Sequence, residues 1–149
     1  MSAAPWSGAL AIGLGWAALD ARLGKNTAHA HLAHQVILGL DGAVVVTTNS
    51  EIVAPTGKAI HIPAGQTHSI GLEGRLTRSI YIDPRFSGIR NDQQCNQPAC
   101  LSDDLSAALE HISDISQARD WAKRFAGRLP GSAIDSRLQK ALGNVRALA

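Results

Sequence analysis

The sequence lacks several features that mark particular classes of protein. It has only two cysteines, Cys95 and Cys100, so it holds neither a disulfide framework nor a four-thiolate zinc site. We expect two free thiols in a reducing cytosol, with a reversible redox pair as the alternative. No apolar run approaches the ~20 residues that a membrane-spanning helix needs, and the apolar N-terminus lacks the basic start of a signal peptide. These absences predict a cytoplasmic location and no membrane partner.

The sequence also lacks a large excess of positive or negative residues. The formal net charge is +2, and residues 1–100 and 101–149 each hold seven Lys/Arg against six Asp/Glu. Neither part is basic enough to predict direct nucleic-acid binding by this chain alone. Aromatic residues make up 4% of the sequence, which leaves few candidates for the stacking platform of a sugar-binding site.

What is present indicates one mainly β core with helical appendages. A chain of 149 residues fits a single domain of ordinary size. Between Leu10 and Pro84, short apolar stretches rich in β-branched residues alternate with turn residues, as in a barrel or sandwich. Because Asp41-Gly42 tolerates the positive φ angles of a tight turn, we expect it to join a hairpin. The predicted strands are Val36–Leu40, Ala43–Thr48, Lys58–Ile62 and Thr77–Ile82.

The pattern becomes helical after residue 100. Ser102 can cap a first helix whose first turn carries Asp103 and Asp104. Helical spacing predicts a second helix that ends at Pro130-Gly131, and Asp135 can cap a third short helix. The predicted organisation is a barrel over residues 1–100, a helical segment over 101–131 and a linker over 132–149. The second helix carries the apolar stripe Ile115, Ala118, Ala122, Phe125 and Leu129.

Four side chains predict a shared site at the mouth of the barrel. His29 and His31 project from the same face if they lie on a strand, and Gln35 has the same parity. His68 follows a Pro-Ala-Gly turn that can fold it back over them. Three imidazoles and an amide oxygen suit a divalent Zn, Ni, Fe, Mn or Cu ion whose sphere water completes. We interpret His34, His61 and His111 as ordinary polar groups outside this site.

These residues carry a family resemblance. Gly24-x4-His29-x-His31-x3-Gln35-x6-Gly42 resembles the first cupin motif, and Gly57-x5-Pro63-x-Gly65-x2-His68 resembles the second. The first motif departs by one spacer residue and has Gln35 where the family usually has Glu. Leu72 stands where the second motif usually has Asn. The resemblance implies a cupin barrel, a double-stranded β-helix of the jelly-roll type. Replacing a carboxylate by an amide weakens the attraction for a hard cation.

The order of elements is also similar to the effector-binding and dimerisation domain of AraC-type transcriptional regulators. That resemblance rests on the strand end Tyr81-Ile82-Asp83-Pro84, on the helical pair and on the segment Asp135–Leu142. It implies a small-molecule effector in the barrel, bound by the four site residues and Tyr81. It also implies a homodimer through the C-terminal helices, and contact with DNA through a further domain that residues 135–149 are too short to supply.

Two other functions stay open. The same barrel serves metal-dependent isomerases and dioxygenases that act on small polar substrates. Such an enzyme needs an acid or base near the metal, and the candidates Tyr81, Glu51, Glu73 and Asp83 are few and lie mostly at turns or strand ends. We therefore expect no catalytic residue. A sugar-binding or storage-like cupin is a third alternative.

Overall fold

The computed structural model describes residues 8–86 and 97–127. Nine strands and two α-helices form within these ranges, and a short 3-10 helix, Ile115–Gln117, leads into the second α-helix. The strands are β1 Gly8–Gly13, β2 Trp16–Arg22, β3 His34–Gly39, β4 Val44–Thr47, β5 Glu51–Ala54, β6 Ala59–Ile62, β7 Ser69–Gly71, β8 Leu76–Ile82 and β9 Ala99–Cys100. The helices are α1 Asp103–Glu110 and α2 Ala118–Ala126.

The strands form two antiparallel sheets with a jelly-roll order. The larger sheet runs β1-β2-β8-β3-β6-β9 and the smaller runs β5-β4-β7. An isolated bridge between His29 and His68 adds a minimal fourth strand beside β7. The four strands β2-β8-β3-β6 of the larger sheet thus oppose β5, β4, β7 and the segment at His29 in the smaller sheet. This is the double-sheet arrangement of jelly rolls and cupins. The mainly β, cupin-like fold predicted from the motifs is confirmed.

Two apolar cores lie on opposite faces of the larger sheet. Between the sheets, Ile37, Ile60 and Ile62 pack against residues of the smaller sheet such as Val46 and Ile70. On the outer face, residues of β2, β3, β6 and β8 pack against α1 and α2. Because both faces of β3 are covered, all six of its residues are buried. The sheet is therefore the shared wall between the barrel interior and the helices.

The predicted Asp41-Gly42 hairpin is wrong. β3 pairs with β6 and β8, whereas β4 pairs with β5 and β7, so the chain crosses from one sheet to the other at this dipeptide. Neither residue has a positive φ, which a type I′ turn requires. The Asp41 carboxylate instead accepts the N–H of Leu76 at 2.9 Å. Arg75 covers Gly42 so closely that a Cβ there would lie 2.0 Å from its Nη1 atom.

The two C-terminal helices form as predicted, and they pack on the barrel of their own chain. Ser102 caps α1 by accepting the N–H of Leu105, with acidic residues in the first turn. The stripe residues Ala118, Ala122 and Phe125 of α2 are fully buried against the larger sheet. The end predicted at Pro130-Gly131 and the third helix lie outside the described residues. No helix in the described ranges is long and apolar enough to cross a membrane.

A buried arginine that sequence reasoning missed joins the sheet to the helices. Arg78 on β8 is 7% exposed, and its guanidinium donates to the carbonyls of Leu109, Glu110 and Ile112 at 2.7–3.1 Å. It also forms two hydrogen bonds to the carboxylate of Asp20, at 2.8 and 2.9 Å. The last turn of α1 leaves carbonyls without helical partners, and Arg78 supplies donors to them.

Candidate metal centre

The backbone brings two distant segments together at the predicted site. His29 and His68 exchange two hydrogen bonds, with N···O distances of 2.9 and 2.8 Å. The turn before His68 contains Gly65 with a φ of +79°, and the N–H of Gly65 donates to the carbonyl of His31 at 2.8 Å. Both motifs are therefore fixed to each other through main-chain contacts, as the predicted fold-back of His68 requires.

The side chains of His29, His31 and His68 converge. One ring nitrogen from each lies within 4.8 Å of the others, in an arrangement that could hold a metal ion. The ring centroids are separated by 4.6 Å for His29 and His68, 5.1 Å for His31 and His68, and 5.7 Å for His29 and His31. A candidate metal site made of these three imidazoles is thus present where the sequence placed it.

The hydrogen bonds of the rings select which nitrogen faces the centre. Each Nδ1 lies 2.7–3.0 Å from a main-chain carbonyl, of Thr27 for His29, Ala33 for His31 and Gln66 for His68. A carbonyl only accepts, so each Nδ1 carries the ring proton and donates it. The lone pair of each neutral ring is then on Nε2. Carbonyl partners of this kind are typical of histidines that bind metals, because they fix the tautomer and the ring orientation.

His68 shows most directly that the site suits a cation. It is 1% exposed, and its Nε2 atom has no hydrogen-bond partner among the described residues. Burial lowers the pKa of His68, and His29 and His31 lower it further, against the effect of the hydrogen bond to Gln66. A neutral ring with a buried, unshared lone pair fits a metal ligand. A group of this kind without a partner costs stability.

Gln35 and Tyr81 lie beside the cluster, on the inner face of the larger sheet. The Oε1 atom of Gln35 is 2.9 Å from Nε2 of His31, and its Nε2 atom lies 3.3 Å from the hydroxyls of Ser79 and Tyr81. The Tyr81 ring packs edge-on against His31, with centroids 5.4 Å apart. Burial raises the pKa of Tyr81. Sequence reasoning missed Ser79, although its parity with Tyr81 on one strand places it there.

One cavity lies beside the cluster, and a second lies beside Tyr81. One of about 670 Å³ is lined by His29, Ile70 and the polar residues Lys25, Asn26, Thr27 and Glu73. The other, of about 290 Å³, is lined by Tyr81, Trp16, Leu32 and Asp83, among others. The larger cavity falls in the range of about 300–1,000 Å³ that is usual for small-molecule sites.

The candidate acid–base residues differ in whether they line one of the two cavities. Glu73 lines the same cavity as His29. Asp83 lines the smaller cavity but is paired with Arg85 at 3.2 Å, and hydrogen bonds from Arg85 lower its pKa. Glu51 begins β5 and is exposed. Within the described residues, the histidine cluster contains no carboxylate.

A second histidine pair lies on the outer face of the larger sheet. His34 is fully buried and His61 is 5% exposed, and Nδ1 of His34 lies 3.0 Å from Nε2 of His61. The His34 Nδ1 atom also accepts the N–H of Ala64 at 3.3 Å. The interpretation of both as ordinary polar groups missed this pairing, because strand parity alone did not show that helices cover the outer face. The ring of His61 packs against Phe125 of α2.

Comparisons with known proteins show only remote likeness. No protein-family model and no curated protein matches the sequence. Among solved structures, a protein from Neisseria meningitidis is similar over 52% of this chain and 84% of its own, with 17% identity and a TM-score of 0.45. A cupin domain from Bordetella pertussis is similar over 56% and 98%, with 15% identity and a TM-score of 0.41. A cupin superfamily protein from Desulfitobacterium hafniense is similar over 56% and 84%, with 18% identity and a TM-score of 0.44.

Proposed function

We propose that this chain is a ligand-sensing domain that holds a divalent metal ion in a cupin-like barrel and passes the state of that site to its C-terminal helices. The observation that carries the proposal is the double role of β3 and β8. On the inner face these strands hold Gln35 and Tyr81 beside the histidine cluster. On the outer face they hold Arg78 and the apolar residues against which α1 and α2 pack.

The contact between His31 and Gln35 supports a metal site with four protein ligands. A neutral His31 uses its one N–H on the carbonyl of Ala33, so its Nε2 atom and the Oε1 atom of Gln35 face each other as two lone pairs at 2.9 Å. Neighbouring ligands bound to one ion at about 2.1 Å lie about 3.0 Å apart at right angles. The distance suits two ligands of one cation. Imidazole-rich sites favour Zn, Cu, Fe or Ni, while Mn prefers more oxygen ligands.

A metal-free arrangement is also available to the same side chains. A half-turn of the Gln35 amide points its N–H at Nε2 of His31 and directs Oε1 to the hydroxyls of Ser79 and Tyr81. The polar groups of His31, Gln35, Ser79 and Tyr81 are then paired without an ion, while Nε2 of His68 still has no partner among the described residues. We propose that Gln35 takes one orientation with metal and the other without it. The site would thereby have two states at a position in direct contact with β8.

The charge of the site indicates the class of ligand. Three neutral imidazoles and an amide leave the two positive charges of a divalent ion without compensation, and a bound cation is often the largest local charge in a site. Lys25 and Glu73 in the neighbouring cavity have opposite charges and offset each other. We propose that a small anionic molecule, such as a carboxylate, occupies the open coordination positions.

Proton-transfer groups near the cluster are too few to favour turnover. Tyr81 packs edge-on against His31, and burial keeps it protonated at neutral pH because its pKa is raised. Asp83 is held by Arg85. Sensing needs only that a ligand bind two states unequally, whereas turnover needs a group that moves a proton. The domain is therefore proposed to be non-enzymatic.

Metal analysis of purified protein tests the metal site. We expect close to one equivalent of a divalent ion in the wild type and its loss in the double variant His29→Ala/His31→Ala, which keeps a folded barrel. His111→Ala is the matched control, because His111 is exposed at the end of α1, away from the cluster. Unchanged metal content in the double variant would rule out this ligand set.

Titration of the Co²⁺-loaded protein tests the ligand class. The visible spectrum of Co²⁺ changes when its coordination changes, so acetate and succinate should alter it and neutral glycerol should not. The same spectral change with glycerol, or none with either carboxylate, would contradict an anionic effector while leaving metal binding intact.

We further propose that the domain belongs to a transcriptional regulator of the AraC type. It is supported by the similarity of the element order and of Asp135–Leu142 to AraC-type regulators, and that segment lies outside the described residues. On this proposal the protein is cytoplasmic, forms a homodimer and contacts DNA through a separate domain. The gene provides the test. A reading frame that continues beyond codon 149 into two helix-turn-helix units would support the regulator, and a stop codon at that point would contradict it.

One observation favours a metal-dependent enzyme as the second candidate. Glu73 lines the same cavity as His29, so a general base could reach a substrate bound at an ion there. Metal-dependent turnover of a small polar substrate that Glu73→Gln abolishes, with metal content unchanged, would favour the enzyme. Retained metal without any turnover across isomerase and dioxygenase substrates would favour the sensor.

A further inference from the structure

The larger of the two cavities lies between two antiparallel segments of the chain. The bridge between His29 and His68 joins the segments at one end. At the other end, the N–H of Gly74 donates to the carbonyl of Leu23 at 2.8 Å. The cavity of about 670 Å³ opens between these two contacts and is lined by His29. It is called the His29 cavity below.

The side chain of Asn26 holds the two segments apart. Its Oδ1 atom accepts the N–H of Ile70 at 2.8 Å, and its Nδ2 atom donates to the carbonyl of Ile70 at 2.6 Å. The amide takes the place of a main-chain partner, so the two main chains lie farther apart than the ~4.8 Å of neighbouring strands. The His29 cavity is therefore held open by a side chain whose polar atoms are already paired.

Two side chains of opposite charge line this cavity, one from each segment. Lys25 lies on the segment before His29, and Glu73 lies on the segment after His68. Both are exposed. Within the part of the chain that the structure describes, neither side chain forms a hydrogen bond or an ion pair. Both charges are therefore available to a ligand that carries a group for each.

We propose that the His29 cavity binds the head group of a dicarboxylic α-amino acid. The carboxylate of the head group pairs with Lys25 and its ammonium pairs with Glu73, while the second carboxylate of the same molecule occupies the open positions at the metal. This inference rests on the proposed metal site and names the class of its anionic ligand. Such a molecule carries one net negative charge at neutral pH, as the site requires.

A ligand with only one kind of charge suits this cavity less well. A dicarboxylate without an amine brings its far carboxylate near Glu73 as well as Lys25, so repulsion offsets attraction. A diamine is repelled by Lys25 and offers no anionic group to the metal. The α-amino acid head group carries both charges on one carbon atom, and it therefore meets both residues with the correct sign.

The position of the charged pair indicates that the ligand is elongated. Lys25 is four residues from His29, and Glu73 is five residues from His68. An extended chain rises ~3.3 Å per residue, which gives on the order of 13–16 Å of chain as an upper limit. The long side chains reach back over part of this distance. We expect a spacer of several methylene groups between the head group and the metal-bound carboxylate, as in glutamate, aminoadipate and aminopimelate.

Isothermal titration calorimetry of the metal-loaded protein tests the proposal. Each of these three amino acids is compared with the diacid of the same length that lacks the amine, namely glutarate, adipate and pimelate. In the wild type the amine should strengthen binding about fivefold for at least one spacer length, since an exposed ion pair contributes up to about 1 kcal/mol. Metal content before and after the titration shows that the amino acid has not removed the ion.

Two variants separate the contributions of the two charges. Glu73→Gln should remove the gain from the amine without weakening the diacid. Lys25→Gln should weaken the amino acid and the diacid alike, about fivefold, and keep the gain from the amine. Glu51→Gln and Lys123→Gln are the matched controls, because both residues are exposed and lie outside the cavity. Both controls should bind like the wild type, and thermal unfolding shows that each variant is folded.

The outcomes distinguish this inference from the proposed function. Equal affinities for amino acid and diacid in the wild type would overturn the inference, while binding of the diacid would leave the proposed anionic ligand standing. A gain from the amine that persists in Glu73→Gln would also overturn it, because the amine would then bind elsewhere, for example at the metal. Binding of neither class to the metal-loaded protein would contradict the proposed anionic ligand and this inference together.

Discussion

The Nε2 atom of His31 lies 2.9 Å from the Oε1 atom of Gln35, a contact that links the histidine cluster to β3. With the ring proton of a neutral His31 on Nδ1, both atoms are acceptors, and a cation bound between them would stabilise the contact. In the cupin motif that the sequence resembles, a glutamate usually stands at the position of Gln35. Because the Gln35 amide is neutral, this position offers a metal no negative charge, whereas a glutamate would offer one.

Gln35→Glu should raise the affinity for a divalent metal at least tenfold. A carboxylate adds one negative charge next to the ion and compensates part of its charge, a gain of about 1.4 kcal/mol or more. Competition with a chelator of known affinity measures the change. Gln117→Glu is the matched control, because Gln117 is exposed in the 3-10 helix before α2 and should leave the affinity unchanged. Equal affinities for Gln35→Glu and the wild type would show that residue 35 does not contact the ion.

Leu72→Asn should stabilise the protein by about 1 kcal/mol. Leu72 has a φ of 76°, the only non-glycine residue with a positive φ in the described ranges. The left-handed region costs a residue with an ordinary side chain about 1–2 kcal/mol, and Asn tolerates it better. Little burial is lost, because Leu72 is 42% exposed. Urea unfolding measures the difference.

Leu14→Asn provides the comparison for that substitution. Leu14 is 97% exposed and lacks a positive φ, so the same change there should alter the free energy of unfolding by less than about 0.5 kcal/mol. A Leu72→Asn protein no more stable than the wild type would show that the backbone at residue 72 is not strained.

The motif spacing was enough to predict the cupin-like barrel and the cluster of His29, His31 and His68. His29 and His31 do not share a strand face with Gln35, because they lie outside the strands apart from the bridge at His29, whereas Gln35 lies on β3. The motif spacing therefore predicted the cluster without the strand that was expected to carry it, and the turn at Gly65 that returns the chain to His68 is a local property. Leu72 is an exception, because the motif's usual Asn suits the left-handed backbone found there and leucine does not. At this position the sequence departs from the motif while the backbone keeps the motif's conformation.

What could not be predicted depends on contacts between distant segments. Asp41-Gly42 has the composition of a hairpin turn, but bonds from Leu76 and Arg75 direct the chain into the other sheet. His34 and His61 look like isolated polar residues until the helices cover them. Arg78 and Asp20 are 58 positions apart and meet only through the pairing of β2 with β8. No local pattern contains this information.

Arg78→Lys should lower the free energy of unfolding by about 2 kcal/mol or more. The guanidinium contacts two carbonyls in the last turn of α1 and that of Ile112 just after it, and it makes two hydrogen bonds to Asp20. A lysine has one ammonium and cannot reproduce a planar fork, so buried acceptors lose their partners. Chemical denaturation measures the loss. Arg85→Lys is the control, since Arg85 is 91% exposed in its ion pair with Asp83 and surface pairs contribute little. Equal stability of the two variants would mean that Arg78 does not hold α1 to the sheet.

Stability should fall as the pH decreases from 6.5 toward 4.5, and His61 should be a main cause. Burial, with a smaller effect of His34, lowers the pKa of His61 from 6.5 to about 3. Between these two values the unfolded chain binds a proton that the folded chain excludes, so the free energy of unfolding decreases as the pH falls. The slope is up to about 1.4 kcal/mol for each pH unit and each such histidine. Above pH 7 both states are neutral at His61, and this contribution to the slope vanishes.

Denaturation at a series of pH values between 4.5 and 6.5 measures this slope, in metal-free protein so that metal release does not contribute. His61→Gln removes the titrating group and should reduce the slope relative to the wild type, whatever its effect on stability at pH 7. His111→Gln removes an exposed histidine and should keep the wild-type slope. Because His34 and His68 also have lowered pKa values, some slope should persist in His61→Gln. Identical slopes in all three proteins would show that His61 takes up a proton as readily in the folded chain as in the unfolded one.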